Sequence, residues 1–492
     1  MILTRIINPT RKLKPDSILS ISLFTTVSSP PSDPLISDAV SILTHHRSKS
    51  RWSTLRSLHP YGFTPFQFSE ITLRLRNNPH LSLRFFLFTR RFSLCSHDVG
   101  SCSTLIHILA RSRLKSHASE VIRLALRLAD DNEEGENRVL KVFRSLVKSY
   151  NLCGSAPFVF DLLVKSCLDS KEIDGAVMVM RKLRSRGISL QISTCNALVS
   201  EVSRRRGAFN GYKMYREVFG LDDVKVDDGK KMASKVKANA STFNLMMMSF
   251  YREGETEMVE RIWREMKEEG GCSANGQSYC VLMETYCARG LMSEAEKIWE
   301  EMKVKGVVFD VVAYNTMIGG LCGNLEVAKA KELFREMGFK GIECTSLTYE
   351  HLVNGYCKVR DVDSALVVYR EMKRKGFEAE GLTIEALVEG LCDRNRDKVV
   401  EAAEIVKVAV RESEFYPSRE CYELLIKRLC EEGKMERALN IQAEMVGKGF
   451  KPSQETYRAF IDGYGLAGDE KTSALLAIEM AESLKLRAEE VS

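Results

Sequence analysis

The strongest constraint on this chain is a period. Cys287, Cys322, Cys357 and Cys392 follow one another at intervals of 35 residues, and Cys430 comes 38 residues later. Met302, Met337 and Met372 keep the same step, with Met266 and Met445 in equivalent places. Gly270, Gly306, Gly341, Gly376 and Gly449 each stand four residues after a methionine, and Ala295, Ala330, Ala365 and Ala438 form a fourth column. Four columns at one period describe an array of similar units. A unit this short cannot bury its apolar surface alone, so neighbours must stack.

Phasing on these columns places units at 157–191, 192–239, 240–275, 276–310, 311–345, 346–380, 381–418, 419–453 and 454–488. The second carries an insertion rich in Asp and Lys at 221–237, a composition that suits a solvated loop. The seventh has three extra residues near 393–397. A degenerate region spans 99–156, with Leu105 to Leu109 in its first helix, and 130–156 does not phase.

Each unit reads as two helices. In 311–345 the first runs from about Val312 to Cys322, with Tyr314, Met317, Ile318 and Leu321 on one face at the helical offsets of 3, 4 and 7. Gly323 and Asn324 break the pattern. The second helix spans about Glu326 to Met337 and carries the stripe Val327, Ala330, Leu333, Phe334 and Met337. Gly341 sits where the turn to the next unit is expected. The expected fold class is therefore all-α, an α-solenoid of helix-turn-helix repeats of about 35 residues.

These columns resemble the plant pentatricopeptide repeat (PPR) family, P class. The stretch Val311-Val-Ala-Tyr-Asn-Thr-Met-Ile-Gly-Gly-Leu-Cys322, continuing to Glu332-Leu-Phe-Arg-Glu-Met337 and Gly341, follows the family pattern. Thr242-Phe243-Asn244 and Thr348-Tyr349-Glu350 open other units in the same style. The match covers 157–488, and the tetratricopeptide repeat, with its Trp–Leu–Gly–Tyr signature, fits less well. The resemblance implies a right-handed α-solenoid that binds single-stranded RNA at about one base per repeat. It assigns base reading to the fifth residue of each unit and the last residue before the next.

Carried over, the reading pairs are Asn196/Asn239, Asn244/Asn275, Cys280/Asp310 and Asn315/Thr345. The three Asn-bearing pairs are directed to pyrimidines, because an amide offers both donor and acceptor. Cys280/Asp310 departs from the pattern and leaves its base open. Val312 and Leu347, second in their units, would sandwich bases. The other fifth residues are Asp161, Glu350, Glu385, Glu423 and Arg458. A Glu accepts from cytosine N4 or a guanine amino group but repels phosphate, so the C-terminal half reads as a weaker RNA binder or as a protein-binding surface. Arg204, Arg252 and Lys358 share the thirteenth position and would meet phosphates; ordinary solvated turn residues are the plainer alternative. The asparagines are expected on an inner wall, touching exposed nucleotides.

The bulk numbers are compatible with this and exclude little else. Lys+Arg 72 minus Asp+Glu 66 gives +6, which permits nucleic-acid binding without demonstrating it. At 44% hydrophobic and 28% charged, the chain is not mostly disordered. No run approaches the ~20 apolar residues of a membrane-spanning helix, so no membrane insertion is expected.

Chemistry is not expected either. The columnar cysteines stand one per repeat, roughly 10 Å apart, too far for a shared metal, and they fall on the buried stripe as small hydrophobes. The methionine column is likewise core. His45-His46 has no third ligand at metal spacing. Walker A, HExxH and GxSxG signatures are missing, as is the deaminase pattern of H-x-E with P-C-x-x-C. The last repeat is followed by only a short tail, 489–492, so no appended enzyme, cofactor or metal is expected.

Residues 1–34 are basic, Ser-rich and poor in acids: Arg5, Arg11, Lys12 and Lys14 precede the first acid, Asp16. That is the description of an organellar transit peptide, with the early arginines favouring the mitochondrion over the chloroplast. Residues 35–98 form a basic helical leader whose Leu81–Phe88 stretch would cap the first repeat. The expected function is sequence-selective single-stranded RNA binding in organellar RNA processing, stabilisation, splicing or translation. The alternative is a protein-binding scaffold in an organellar complex such as the ribosome.

Overall fold

The structure, a computed structural model, describes residues 33–45, 52–129, 137–221, 236–268, 271–394, 398–412 and 417–491. Nearly all of the expected transit segment, most of the 221–237 insertion, Gly270, His46 and the extra residues at 395–397 lie outside them. Among the described residues every regular element is a helix, apart from one isolated bridge between Phe63 and Cys95. The all-α solenoid anticipated from the period is the architecture found. It divides into two compact units, Met1–Cys272 and Ser273–Ser492.

The first unit contains α1 (Pro34–His45), α2 (Ser53–Leu58), α3 (Pro65–Arg74), α4 (Pro79–Arg91), α5 (Val99–Arg111), α6 (Lys115–Leu128) and α7 (Arg138–Ser149). Then follow α8 (Val159–Asp169), α9 (Ile173–Ser185), α10 (Ile192–Arg206), α11 (Ala208–Phe219), α12 (Ala240–Arg252) and α13 (Thr256–Glu268). The leader supplies α3 and α4, a hairpin whose Phe68 and Phe85 rings stack at 5.2 Å, and α3 packs on α5. Among the described residues, 137–156 contribute one helix, α7, which also packs on α5. There α8 rests on α6 and α9 on α7, shifting the alternation before the regular hairpins begin. The buried His107 fastens this shift: Nε2 donates to the Leu146 carbonyl at 3.0 Å and Nδ1 accepts from Ser155 Oγ at 2.6 Å. Burial lowers its pKa to about 4, so the ring is neutral at physiological pH.

The second unit is more regular. Its hairpins are α14 (Gly276–Ala288) with α15 (Met292–Val304), α16 (Val311–Gly323) with α17 (Val327–Phe339), and α18 (Ser346–Lys358) with α19 (Val362–Arg374). Next come α20 (Gly381–Arg394) with α21 (Val399–Glu412), α22 (Arg419–Glu431) with α23 (Met435–Gly447), and α24 (Gln454–Leu466) with α25 (Glu470–Val491). Each first helix packs along the first helix of the next hairpin, whereas the second helices make no comparable contact with one another. The first helices therefore form the tighter, inner wall of this stack.

Two side-chain columns hold most of these hairpins shut, α20–α21 excepted. Met302, Met337, Met372 and Met445, with Ala295, Ala330, Ala365 and Ala438, are fully buried. On three first helices a tyrosine hydroxyl donates to a glutamate 22 residues later on the second: Tyr279–Glu301 at 3.2 Å, Tyr314–Glu336 at 3.0 Å and Tyr422–Glu444 at 3.1 Å. These rings bury apolar area while their hydroxyls keep a partner, which removes the usual cost of sinking a phenol.

The described turns inside these hairpins each carry one residue with a left-handed backbone. Gly290 and Gly433 provide it at φ of 71° and 70°, but Leu325 and Arg360 stand in the same place at 66° and 62°. A side chain there is strained. Leu325→Gly is expected to stabilise the chain by about 1 kcal/mol, after allowing for the greater chain entropy of glycine. A urea unfolding midpoint that fails to rise would contradict this.

Candidate nucleic-acid interface

The inner wall of the second unit is built from positions that face away from the second helices. The second residues of three consecutive first helices, Val312, Leu347 and Leu382, are 54%, 47% and 76% exposed. Apolar side chains in one register on one wall are costly in water unless something flat covers them. Leu382 extends the series beyond the two residues singled out from sequence. Between α18, α20 and α22 the wall deepens into a groove of 620 Å³, lined by Asn354, Lys358, Leu382, Glu389, Leu424 and Arg428 among others.

At several repeats the last residue caps the next first helix, because the first helical N–H groups need acceptors. Asn239 accepts from Thr242 N at 3.1 Å, Asn275 from Ser278 N at 3.0 Å and Asp310 from Ala313 N at 2.9 Å. Thr345 caps α18, its own N–H donating to Thr348 Oγ1 at 3.0 Å. All four residues assigned to this reading position are thus helix caps.

The fifth residues reach across to those caps. Asn315 Nδ2 donates to Thr345 Oγ1 at 3.1 Å, and its Oδ1 accepts from Thr348 Oγ1 at 2.7 Å. Asn196 Oδ1 accepts from Thr242 Oγ1 at 2.8 Å. The pairs Asn315/Thr345 and Asn196/Asn239 are therefore brought to common junctions, the first directly and the second through Thr242. Cys280 lies near enough to Asp310 for its carboxylate, after burial itself, to help push the thiol up to about 12. Asn244 belongs to the first unit and Asn275 to the second.

The expectation of open amides on this wall is corrected for two residues. Asn244 is 3% exposed and Asn315 7%, while Asn196 is half-buried. Sequence register places a residue on a face of its helix; it does not show that the next hairpin's cap closes over it. Cys280 is likewise buried.

The acidic fifth residues behave differently. Asp161 Oδ1 accepts from the backbone N–H of Gln191 at 2.8 Å, Glu350 Oε1 from Glu380 N at 3.0 Å and Glu385 Oε1 from Ser418 N at 2.7 Å. Burial raises the Glu350 pKa, partly offset by that backbone bond. Glu423 instead pairs with Arg419 on its own helix at 2.9 Å.

Of the thirteenth-position cations, Arg252 and Lys358 are exposed and make no hydrogen bond or ion pair among the described residues. Arg204 is exposed but committed to Glu201 at 2.6 Å. The columnar cysteines pack against a glycine of the following first helix, Cys287 on Gly320 and Cys322 on Gly355, and burial pushes both thiols up to about 12. That glycine column was not singled out from sequence, although Gly320, Gly355 and Gly390 keep the 35-residue step. No three His, Cys, Asp or Glu residues come together as a metal site among the described residues, and none of the described helices is long and apolar enough to cross a membrane.

Comparison with known proteins bears on these columns. The sequence model of the PPR repeat family matches residues 309–358, 346–393 and 417–465, and that of the PPR repeat matches 241–271 and 277–307. A pentatricopeptide repeat-containing protein of Arabidopsis thaliana is 84% identical over 495 residues, spanning 100% of this chain and 99% of the relative. Another from the same plant, named mitochondrial, is 27% identical over 42% of this chain and 29% of its own length. Among solved structures, the maize pentatricopeptide repeat protein PPR10 aligns with 93% of this chain and 79% of its own, at a TM-score of 0.40 and 15% identity.

Proposed function

Because this chain belongs to the pentatricopeptide repeat family, we propose that it binds single-stranded RNA along the wall of first helices, at about one base per hairpin. The observation that carries this reading is the exposed series Val312, Leu347 and Leu382, one apolar side chain per hairpin in one register. Such a ladder suits stacked bases, each worth ~1–3 kcal/mol. The exposed Lys358 beside it, without an ion-pair partner among the described residues, offers charge to a phosphate, and Asn315 stands at the adjoining junction with Thr345. A base does not meet a free amide there. It must displace the threonine contacts, which trades hydrogen bonds between side chains for hydrogen bonds to the base edge.

The protein acts by binding rather than by chemistry in this reading, with pyrimidine-directed reading at Asn196, Asn244 and Asn315. Its site of action is the mitochondrion, supported by the basic, acid-poor N-terminal segment and by similar relatives named mitochondrial. Gel shifts with pyrimidine-rich and purine-rich single strands test the proposal. Pyrimidine-rich RNA is expected to bind at least tenfold more tightly at low salt, and equal or absent binding of both overturns it. A specific observation favours protein scaffolding as the second reading. Phe339 and Val304, at the ends of α17 and α15, are 91% and 86% exposed on the second helices. RNA-independent capture through that face, with no RNA binding, is the outcome that selects it.

A further inference from the structure

Every junction between hairpins poses the same problem: the N–H of the cap residue needs an acceptor. At the junctions capped by Gln191, Asn239, Thr345, Glu380 and Ser418 the structure solves it in two ways. At amide junctions the hydroxyl three residues into the helix does the work. Thr348 Oγ1 accepts the Thr345 N–H at 3.0 Å and donates its own hydrogen bond to Asn315 Oδ1. Thr242 Oγ1 accepts the Asn239 N–H at 3.2 Å and donates to Asn196 Oδ1. At acid junctions the fifth residue takes the N–H itself, as Asp161 does for Gln191, Glu350 for Glu380 and Glu385 for Ser418. The helices capped by Gln191 and Glu380 still carry Thr194 and Thr383 where Thr348 stands, but the helix capped by Ser418 has Cys421, so among these three the hydroxyl acceptor is missing only there.

We infer that the fifth residues divide the hairpins into readers and fasteners. Asn196 and Asn315 can turn to a base without leaving a backbone N–H unmatched, whereas Glu385 is withheld from RNA because it holds the Ser418 N–H, with no hydroxyl at Cys421 to take its place. This deepens the RNA-binding reading and rests on it for the reader half. The fastener half stands on the geometry alone. Releasing Glu385 to a base would orphan the Ser418 N–H, a loss that a single base contact does not offset. The Glu385 hairpin therefore accommodates a base without discriminating it, and sequence selectivity is concentrated at junctions where a hydroxyl satisfies the cap N–H.

Glu385→Gln separates the roles. Gln keeps a carbonyl oxygen for the N–H, so the fastener survives, while a base reader would acquire a donor and change its preference. The full chain is used to select from a pool of randomised RNA. The preferred motif is expected to be unchanged in Glu385→Gln and altered at one position in Asn315→Asp; a motif shifted by Glu385→Gln overturns the inference. Failure of the wild-type chain to enrich any RNA overturns the RNA-binding reading instead. Independently of RNA, hydrogen exchange over the peptide containing Ser418 is expected to be roughly tenfold faster in Glu385→Ala and near wild type in Glu385→Gln. Unchanged protection in Glu385→Ala refutes the fastener.

Discussion

Gly320→Ala is expected to destabilise the protein by about 1–3 kcal/mol, the typical cost of forcing a methyl into a packed contact. In an open helix the same change would help by up to ~1 kcal/mol, because alanine is the better helix former. The sign reverses here because a Cβ at Gly320 would stand 2.7 Å from Cys287 Cβ, with the sulfur closer still. Gly338 is the control: it too is helical, and a Cβ there meets nothing within 4 Å. Urea unfolding should place Gly320→Ala below the wild type and Gly338→Ala at or above it. Cys287→Ala should recover part of the loss when combined with Gly320→Ala, since it removes the sulfur but leaves the Cβ. If both glycine variants shift the midpoint alike, the close approach of first helices is wrong.

The second large effect concerns salt. If Arg252 and Lys358 each neutralise a phosphate, removing both should lower the slope of log affinity against log salt by about 1.4, from ~0.7 per contact on single strands. Both are exposed and make no ion pair among the described residues. Arg204→Ala should change the slope less, because Glu201 already holds that guanidinium. A double variant with the wild-type salt slope would remove Arg252 and Lys358 from the interface. Base preference should be unaffected in either case, since phosphate contacts carry no sequence information.

The burial pattern was legible in the sequence from Met302, Ala295 and their repeats, because one buried face per helix produces a fixed spacing of apolar residues. The left-handed turn was half legible: Gly290 and Gly433 advertise it, and Leu325 and Arg360 conceal it. The Tyr314–Glu336 pair was written in the sequence at a constant offset of 22, but a tyrosine in a core stripe reads as bulk until its hydroxyl is seen to have a partner. For the candidate interface, sequence marked the columns and not the bonds. Asn315 and Glu350 occupy the same column, yet one bonds to side chains of the next hairpin and the other to its backbone.

By itself, then, the amino-acid sequence determined the repeat length, the two-helix unit, the buried faces and the family. All of these follow from local periodicity, which survives translation along the chain. Only the tertiary structure decided that the cap closes over Asn315, that Glu350 and Glu385 hold backbone N–H groups, and that Cys287 needs Gly320. Those outcomes depend on the offset between one hairpin and the next. Shifts of an ångström or two choose between a hydroxyl, an amide and a backbone donor, and no single repeat encodes that offset.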